Sequence, residues 1–310
     1  MDVALDSFLA ERAGDVARVD PSLTRLTHEL RAMVFAGGKR VRPLLAGWGY
    51  SAAGREPDPA MAGAAAALEL VHCFALIQDD VMDGSKQRRG RPAMHEVLGQ
   101  NGALLASDLA LIWADRMLLE AGFEGRALAG AFEIFNHLRV EVTLGQYLDL
   151  QGAAIEHHAL KVNLYKTASY TVLRPIQLGM ALGGADQALI DSVPAYAEPA
   201  GVAFQLRDDL LGAFGDPDVT GKSDCEDLLG RKPTWLRARA LATDPLGDPD
   251  PANPLAVRMW LLGTGAVSAT EAKIHELHRQ ALIALRRMPV DRRLQAELEE
   301  VTASLVERRS

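Results

Sequence analysis

The chain has 310 residues, a length that allows one large domain or two of ordinary size. Hydrophobic residues make up 48% of it and charged residues 24%, a composition that excludes a disordered chain and a fibre. With 33 basic and 41 acidic residues, the net charge of −8 argues against a general nucleic-acid binder, because a phosphate backbone requires a basic face.

The N-terminal segment and the cysteines indicate the compartment. Asp2 and Asp6 interrupt the N-terminal segment, which has no apolar stretch of signal-peptide length. No run approaches 18 uncharged apolar residues, so we expect no transmembrane segment. Cys73 and Cys225 lie far apart without a CxxC spacing, which favours a reducing compartment and no zinc site. We therefore predict a cytoplasmic protein.

Apolar residues recur at helical spacing along most of the chain, and no alternating run indicates a strand. Asp20, Asp58, Asp186 and Ser268 are predicted helix N-caps, and proline follows the first two. The prediction is an all-α protein with helices over 3–17, 21–36, 42–53, 59–83, 102–121, 125–150, 158–167, 169–183, 187–214, 233–243, 255–262, 268–287 and 291–308. A proline- and aspartate-rich segment at 244–254 predicts a surface loop within a single domain that covers 1–310.

The first motif with chemical content is GGKRVRP at 37–43. Lys39, Arg40 and Arg42 follow two glycines and precede Pro43. Backbone amides freed by the glycines, together with a fork of cations, suit the binding of a diphosphate.

An acidic cluster ends the apolar helix predicted over 59–83. Asp79 and Asp83 are four residues apart and point to the same side of a helix, and Asp80 borders that face. Carboxylates behind a buried apolar helix need a neutralising cation, and Mg²⁺ commonly binds through a few carboxylates plus substrate phosphates. The motif alone also fits a solvated helix end.

Basic residues follow this cluster directly. Arg88, Arg89 and Arg91 stand in RRGRP, and arginine offers planar bidentate donors for phosphate. Lys166 begins KTASYT, and Lys222 stands in TGKSD. Such runs are also found on solvated faces, so their position beside acidic pairs and glycine turns is what favours a phosphate site.

A second acidic cluster stands in FQLRDD at 204–209. Asp208 and Asp209 follow a long apolar helix, and Asp216 lies two turns beyond Asp208. Two acidic clusters with basic neighbours predict a substrate that carries several phosphates bridged by Mg²⁺.

These motifs resemble those of the trans-isoprenyl diphosphate synthases, also called polyprenyl synthetases. The resemblance runs from about residue 35 to 235 through these segments in order: GGKRVRP, DDVMD, RRGRP with His95, EVTLGQYLDL, YKTASYT, FQLRDD, GK at 221–222 and KPT at 232–234. It implies an all-α bundle around a deep central cavity, a homodimer, and head-to-tail condensation of isopentenyl diphosphate with an allylic diphosphate.

The resemblance also implies roles for individual residues. Asp79 and Asp83 would bind two Mg²⁺ ions and Asp208 a third, with Asp80 and Asp209 in support. The allylic diphosphate would be held by Arg88, Lys166 and Lys222, and isopentenyl diphosphate by Lys39, Arg42, His72 and Arg89. Oxygen dipoles facing the allylic cation would come from Thr167, Gln146 and Gln205, and Lys232 would close over the site.

The sequence departs from the family pattern in the second cluster, where Gly212 replaces the last aspartate of DDxxD. This puts the support of the third metal ion in doubt. Product length depends on the residues below the first aspartates. Ala75, four residues before Asp79, opens that level, whereas the bulky Phe74 would close the cavity in members of this family. The resemblance then implies a C20 product, geranylgeranyl diphosphate.

Other functions stay open. Within the family, a C15 product, farnesyl diphosphate, or a longer chain are the alternatives, and Phe74 could equally be a core residue. A class I terpene cyclase uses similar aspartates, but it would have no use for GGKRVRP and RRGRP. A non-catalytic partner subunit is the third alternative, although such proteins tend to lose the first aspartates that this chain keeps.

Overall fold

The computed structural model describes residues 1–152, 154–215 and 232–307. The predicted all-α class is confirmed, since helices form nearly all the regular structure of these residues. The helices of the N-terminal half are α1 Asp2–Val19, a 3₁₀ turn Pro21–Leu23, α2 Thr24–Val34, α3 Val41–Ala52, α4 Pro59–Asp83, α5 Met94–Leu119 and α6 Gly125–Leu150. Those that follow are α7 Glu156–Val162, a π-helix Asn163–Leu173, α8 Arg174–Gly183, α9 Gln187–Ser192, α10 Pro194–Phe214, α11 Trp235–Thr243, α12 Pro254–Gly263, α13 Ala266–Leu285 and α14 Arg292–Val306.

Three of the four predicted N-caps are confirmed. The side chains of Asp20, Asp58 and Asp186 each accept a hydrogen bond of 2.8 Å from a backbone N–H in the first turn that follows. Ser268 is wrong as a cap, because α13 already begins at Ala266 after Gly265, which adopts a left-handed φ of 73°.

The structure corrects four details of the helix prediction. A short antiparallel hairpin pairs Gln87–Arg88 with Arg91–Pro92, although no strand was expected. Helix α5 begins eight residues earlier than predicted, and Gly99 interrupts it with φ 72° and ψ 164°. The π-helix replaces the predicted break between 167 and 169. The predicted helix 187–214 is divided after Val193, because Pro194 lacks the N–H that would continue α9.

Two compact units make up the chain, and the prediction of one domain over 1–310 stays a prediction. The first unit contains residues 1–136 and 175–185. Helix α4 is its central element and packs against α5, α3, α1 and α2. Helices α3 and α8 approach so closely that a Cβ on Gly49 would lie 2.1 Å from the Ile176 carbonyl oxygen.

Helix α4 is also long and apolar enough to cross a membrane by length and composition. It is the one described helix that meets this test, and 67% of its most apolar window is buried inside the protein. Burial of that kind is typical of the core helix of a globular protein.

The second unit contains residues 137–174 and 186–310. Helix α10 is its central element and packs mainly against the π-helix and α13. Glycine permits the close approach to the π-helix, because a Cβ on Gly201 would lie 2.5 Å from Ala168. The predicted loop connects α11 and α12 and has no helix over 244–253, where Leu246 is almost fully exposed.

Candidate active site

The first aspartate cluster lies at the C-terminal end of α4. The preceding turns of the helix are mostly apolar and buried, and Gly84 ends the helix with a left-handed φ of 66°. The helix turns Asp80 fully inward, leaves the Asp79 side chain 17% exposed and places Asp83 in solvent. The three carboxylates therefore occupy a helix end that is open to ligands on one side.

Arg88 of the hairpin pairs with two of these three carboxylates. Its Nε lies 2.9 Å from Asp80 Oδ1, and its Nη2 contacts the same oxygen and lies 3.5 Å from Asp79 Oδ2. Burial raises the pKa of Asp80, and the hydrogen bond from Arg88 opposes that rise. A guanidinium that bridges two carboxylates fixes the hairpin directly beside the aspartates.

The residues of this helix end fit a divalent cation. Asp80 Oδ2 is buried and has no hydrogen-bond partner among the residues that the structure describes, so an acceptor oxygen is left over. No group of three His, Cys, Asp or Glu side chains in the described part of the chain forms a ready metal cage. Mg²⁺ does not need one, because it commonly retains water and binds one or two carboxylates together with substrate phosphates.

The hairpin also carries Arg89, which reaches the glycine turn of GGKRVRP. Its Nη1 donates to the Gly37 carbonyl oxygen at 2.5 Å, and its Nη2 lies 3.3 Å from His72 Nε2. Gly38 packs on the same guanidinium, where a Cβ would lie 3.0 Å from Nη2. The structure thus brings together His72 and Arg89, two residues that the family resemblance assigns to isopentenyl diphosphate.

His72 is half-buried on α4, and its pKa lies well below the usual value. Burial is the main cause, and the positive charges of Arg42, Arg89, Arg88 and Arg40 add to it. His72 is therefore neutral at physiological pH. Arg42 is buried in the first turn of α3, whereas Lys39 is exposed in the loop before it.

Phe74 and Ala75 follow His72 along α4. Phe74 is 9% exposed, and Ala75 is partly exposed one turn before Asp79. Both therefore belong to the packed length of the helix that precedes the carboxylates, and their influence on product length stays a prediction.

In the second unit, the π-helix carries Lys166 and Thr167. Lys166 Nζ lies 2.5 Å from Asp149 Oδ2 of α6. Thr167 Oγ1 donates to Gln205 Oε1 at 2.7 Å, and Gln205 Nε2 donates to Asp209 Oδ1 at 2.8 Å. A single hydrogen-bonded chain therefore links the hydroxyl and the amide that were predicted to face the cation with the second aspartate cluster.

The other residues predicted for the site in this unit lie partly within and partly outside the described residues. Gln146 lies on α6 between Gly145 and Tyr147, three residues before Asp149, and Asp208 is partly exposed on α10. Lys232 lines a pocket that Asp209 and Trp260 also line. Lys222 and Asp216 lie outside the described residues, so their predicted roles stay predictions.

The sequence reasoning missed carboxylates that hold the basic residues in place. Asp149 pairs with Lys166, Glu69 pairs with Arg40, and Glu141 accepts hydrogen bonds from Ser169 and Arg174. Glu69 stands alone among the apolar residues of α4, and a charge there was the available signal.

Comparison with known proteins shows what this arrangement is similar to. Residues 24–248 match the family model "Polyprenyl synthetase". A short chain isoprenyl diphosphate synthase of Methanothermobacter thermautotrophicus is 32% identical over 232 residues, which are 72% of this chain and 71% of that enzyme. A (2E,6E)-farnesyl diphosphate synthase of Mycobacterium tuberculosis is 36% identical over 64% of this chain, but the match spans only 55% of that enzyme.

A solved structure is similar over nearly the whole chain. It is a geranylgeranyl pyrophosphate synthase from Corynebacterium glutamicum, complexed with isoprenyl diphosphate and magnesium, and 33% of its sequence is identical. The TM-score is 0.94, with 99% of this chain and 97% of that chain covered. The predicted fold is therefore confirmed.

Proposed function

The chain belongs to the polyprenyl synthetase family, and from that premise we propose that this trans-prenyltransferase condenses isopentenyl diphosphate with an allylic diphosphate to geranylgeranyl diphosphate. The observation that carries the proposal lies in the first unit. An end of α4 with three aspartates adjoins a hairpin whose Arg88 contacts Asp80 and whose Arg89 contacts His72 and Gly37. Anionic and cationic groups at this density fit a diphosphate and its metal ions.

Mg²⁺ is the proposed cofactor, with three ions in all. Asp79 and Asp83 would hold two of them and Asp208 the third, with Asp80 and Asp209 in support. When bound, the metal neutralises the negative charge that grows on the leaving diphosphate. The similar Corynebacterium glutamicum structure contains magnesium, which supports the choice of metal.

The proposed roles of the basic residues are those that the resemblance to the family implies. Arg88, Lys166 and Lys222 would hold the allylic diphosphate, and Lys39, Arg42, His72 and Arg89 would hold isopentenyl diphosphate. Neutral His72 can donate a hydrogen bond without adding a positive charge to the arginines around it. Lys232 would close over the bound substrates.

The proposed reaction begins with ionisation of the allylic C–O bond, and the electron pair leaves with the diphosphate. Oxygen dipoles of Thr167, Gln205 and Gln146 would stabilise the resulting cation. Gln205 is already oriented, because its amide is hydrogen-bonded on both sides, to Thr167 and to Asp209. The isopentenyl double bond attacks C1 of the cation, and a proton is then lost to the departed diphosphate, so no protein base is required.

Geranylgeranyl diphosphate is the proposed product because Phe74 is bulky and lies one residue below the level that Ala75 opens. The name of the similar Corynebacterium glutamicum structure supports C20. The mycobacterial relative is named a farnesyl diphosphate synthase, so a C15 product is the principal alternative.

A cytoplasmic homodimer is the proposed assembly. Helix α5 exposes Leu105, Ile112 and Leu119, which are spaced seven residues apart and therefore lie along one face. Their exposed fractions are 64%, 61% and 52%, so this apolar stripe is suited to contact with a second copy of the chain. Sedimentation equilibrium should give twice the mass of the chain, and a monomer at micromolar concentration would contradict the assembly.

Product analysis tests the proposed chain length. The purified protein is incubated with Mg²⁺, isopentenyl diphosphate and one starter: dimethylallyl, geranyl or farnesyl diphosphate. We expect all three reactions to end at C20 alcohols after dephosphorylation and chromatography. Accumulation of C15 from the two shorter starters, with farnesyl diphosphate unused, would assign the C15 function instead.

A further inference from the structure

Arg40 adopts an unusual backbone conformation at the start of α3. Its φ of 50° and ψ of 38° lie in the left-handed region, which is rare for a residue with a long side chain. Such a conformation persists only where surrounding contacts hold it. The loop that it ends, residues 35–40, contains Gly37, Gly38 and Lys39.

Three contacts hold the Arg40 guanidinium. Nη1 is hydrogen-bonded to Glu69 Oε2, Nη2 donates to the Val34 carbonyl oxygen at 2.9 Å, and Nε lies 3.4 Å from Asp2 Oδ1. These groups belong to α4, α2 and α1, so one side chain ties the loop to three helices. Arg40 is consequently occupied by the protein rather than presented to a ligand.

Glu69 is the buried member of this network. Its side chain is only 4% exposed, in a helix face that is otherwise apolar. It stands three residues before His72, so the two residues lie near each other on α4. Its negative charge also raises the pKa of Arg89, which burial lowers. Glu69 therefore balances the positive charges of Arg40 and Arg89.

The loop has a second attachment on its other side. Arg89 donates to the Gly37 carbonyl oxygen and packs on Gly38. Lys39 lies between this attachment and the one made by Arg40. The backbone that carries Lys39 is thus fixed at both ends, although the Lys39 side chain itself is exposed.

We propose that Glu69 and Arg40 are positioning residues of the isopentenyl diphosphate site. They hold the 35–40 loop, which carries Lys39, and the start of α3, which carries Arg42, toward the diphosphate that His72 and Arg89 would also bind. The inference rests on the proposed function, because it assigns a task to residues around that site. Neither residue needs to touch the substrate. The pair acts by keeping the loop and the arginine cluster in place before the substrate arrives.

Steady-state kinetics of Glu69→Gln tests the proposal. The substitution keeps the shape of the side chain but removes the charge that holds Arg40. We expect KM for isopentenyl diphosphate to rise roughly 10- to 100-fold, as small misplacements of binding groups do, with KM for geranyl diphosphate nearly unchanged. Asp6→Asn is the matched control, because Asp6 pairs with Arg31 on the surface of the same unit. It should leave both KM values unchanged.

A double-mutant cycle separates positioning from general destabilisation. Arg40→Gln should raise the same KM. The double variant should be no worse than either single variant, because both substitutions break the same ion pair. Glu69→Asp, which keeps the charge, should recover part of the affinity. A merely structural pair would lower the active fraction, and therefore kcat, while leaving both KM values as they are. That result would overturn the inference.

Two further outcomes are distinguishable. If Glu69→Gln does not fold, as judged by circular dichroism, titration calorimetry of isopentenyl diphosphate with Arg40→Lys replaces it. Lysine keeps the positive charge but cannot make the three contacts, so weaker binding is expected and wild-type binding would overturn the inference. If the wild-type protein neither binds nor consumes isopentenyl diphosphate, the proposed function itself fails.

Discussion

The aspartates at the end of α4 differ in their exposure to solvent. Asp80 is buried, and Arg88 holds its carboxylate, whereas Asp83 four residues after Asp79 is exposed. The difference follows from the helix, which turns adjacent aspartates to different sides. The four-residue spacing was sufficient to predict that Asp79 and Asp83 share one side of the helix, whereas their binding of metal stays a prediction.

Removal of one metal-facing carboxylate gives the sharpest prediction at this scale. Asp79→Ala should lower kcat by about 10²- to 10³-fold, because a metal ion contributes several kcal/mol to charge stabilisation. The folded structure should survive, since Asp79 is not in the apolar core. Turnover with saturating substrates and the thermal midpoint are the two measurements.

Asp191→Ala is the control for that variant, because Asp191 is exposed on α9 and away from the aspartate clusters in sequence. It should retain wild-type turnover. Near-normal activity of Asp79→Ala would refute the metal assignment.

Phe74 is the residue on which product length depends in this account. Phe74→Ala should shift the main product beyond C20, because a smaller side chain leaves room for further isoprene units. It should also destabilise the protein by about 3–5 kcal/mol through the cavity left in the core. Chromatography of the dephosphorylated products gives the chain length.

Phe8→Ala is the matched control, since Phe8 on α1 is as buried as Phe74. The two variants should lose similar stability, but the Phe8 variant should keep the wild-type product. An unchanged product from Phe74→Ala would show that another residue limits the chain.

The π-helix is an irregular element that carries two of the predicted site residues. It holds Lys166 and Thr167 between α7 and α8, and π-helical turns are frequent at functional sites. Glycines of neighbouring helices allow the backbone to come close. A Cβ on Gly145 of α6 would lie 2.3 Å from the Lys166 nitrogen.

Gly145→Ala should therefore displace the π-helix. We expect it to destabilise the protein by roughly 1–3 kcal/mol through overpacking and to lower kcat as Lys166 and Thr167 move. Gly130→Ala on the same helix is the control, because its Cβ would meet nothing closer than 4.0 Å. That variant should be neutral or slightly stabilising by urea unfolding. Equal behaviour of the two variants would contradict the close approach.

Most elements could be predicted from the sequence, and the misses have physical causes. Apolar spacing predicted α1, α3, α4 and α6 within a few residues, and Asp58 with Pro59 marked the start of α4. The hairpin was missed because two positive φ angles, at Arg89 and Gly90, form a turn that only its glycine announced. The π-helix leaves no distinct pattern in the apolar spacing, because it differs from an α-helix in its backbone hydrogen bonds. It packs against α10, a contact that the sequence does not reveal.

At the scale of the whole molecule, the net charge of −8 conceals a local separation of charge. Several acidic residues stand in the two aspartate clusters, while arginines gather around His72, whose pKa is lowered first by burial and then by their charge. An acidic protein can therefore carry a site for anions. The sequence marks Glu69 as a charge within an apolar helix, but it does not reveal that Glu69 pairs with Arg40 or Asp149 with Lys166, because the partners are distant along the chain.

Chelation should separate activity from folding. The described core consists of apolar helix packing, so removal of Mg²⁺ with EDTA should abolish turnover and leave the far-ultraviolet circular dichroism spectrum unchanged. Added Mg²⁺ should restore the activity fully. Loss of helical signal on chelation would show that the metal supports the fold as well.

The central claim is that this protein joins isopentenyl diphosphate to an allylic diphosphate. Its most direct test is incubation of the purified chain with geranyl diphosphate and Mg²⁺, with and without isopentenyl diphosphate. We expect longer prenyl diphosphates only when isopentenyl diphosphate is present. Hydrocarbon released in its absence would identify a terpene cyclase, and no product in either reaction would indicate a non-catalytic subunit; either result would contradict the prenyltransferase function.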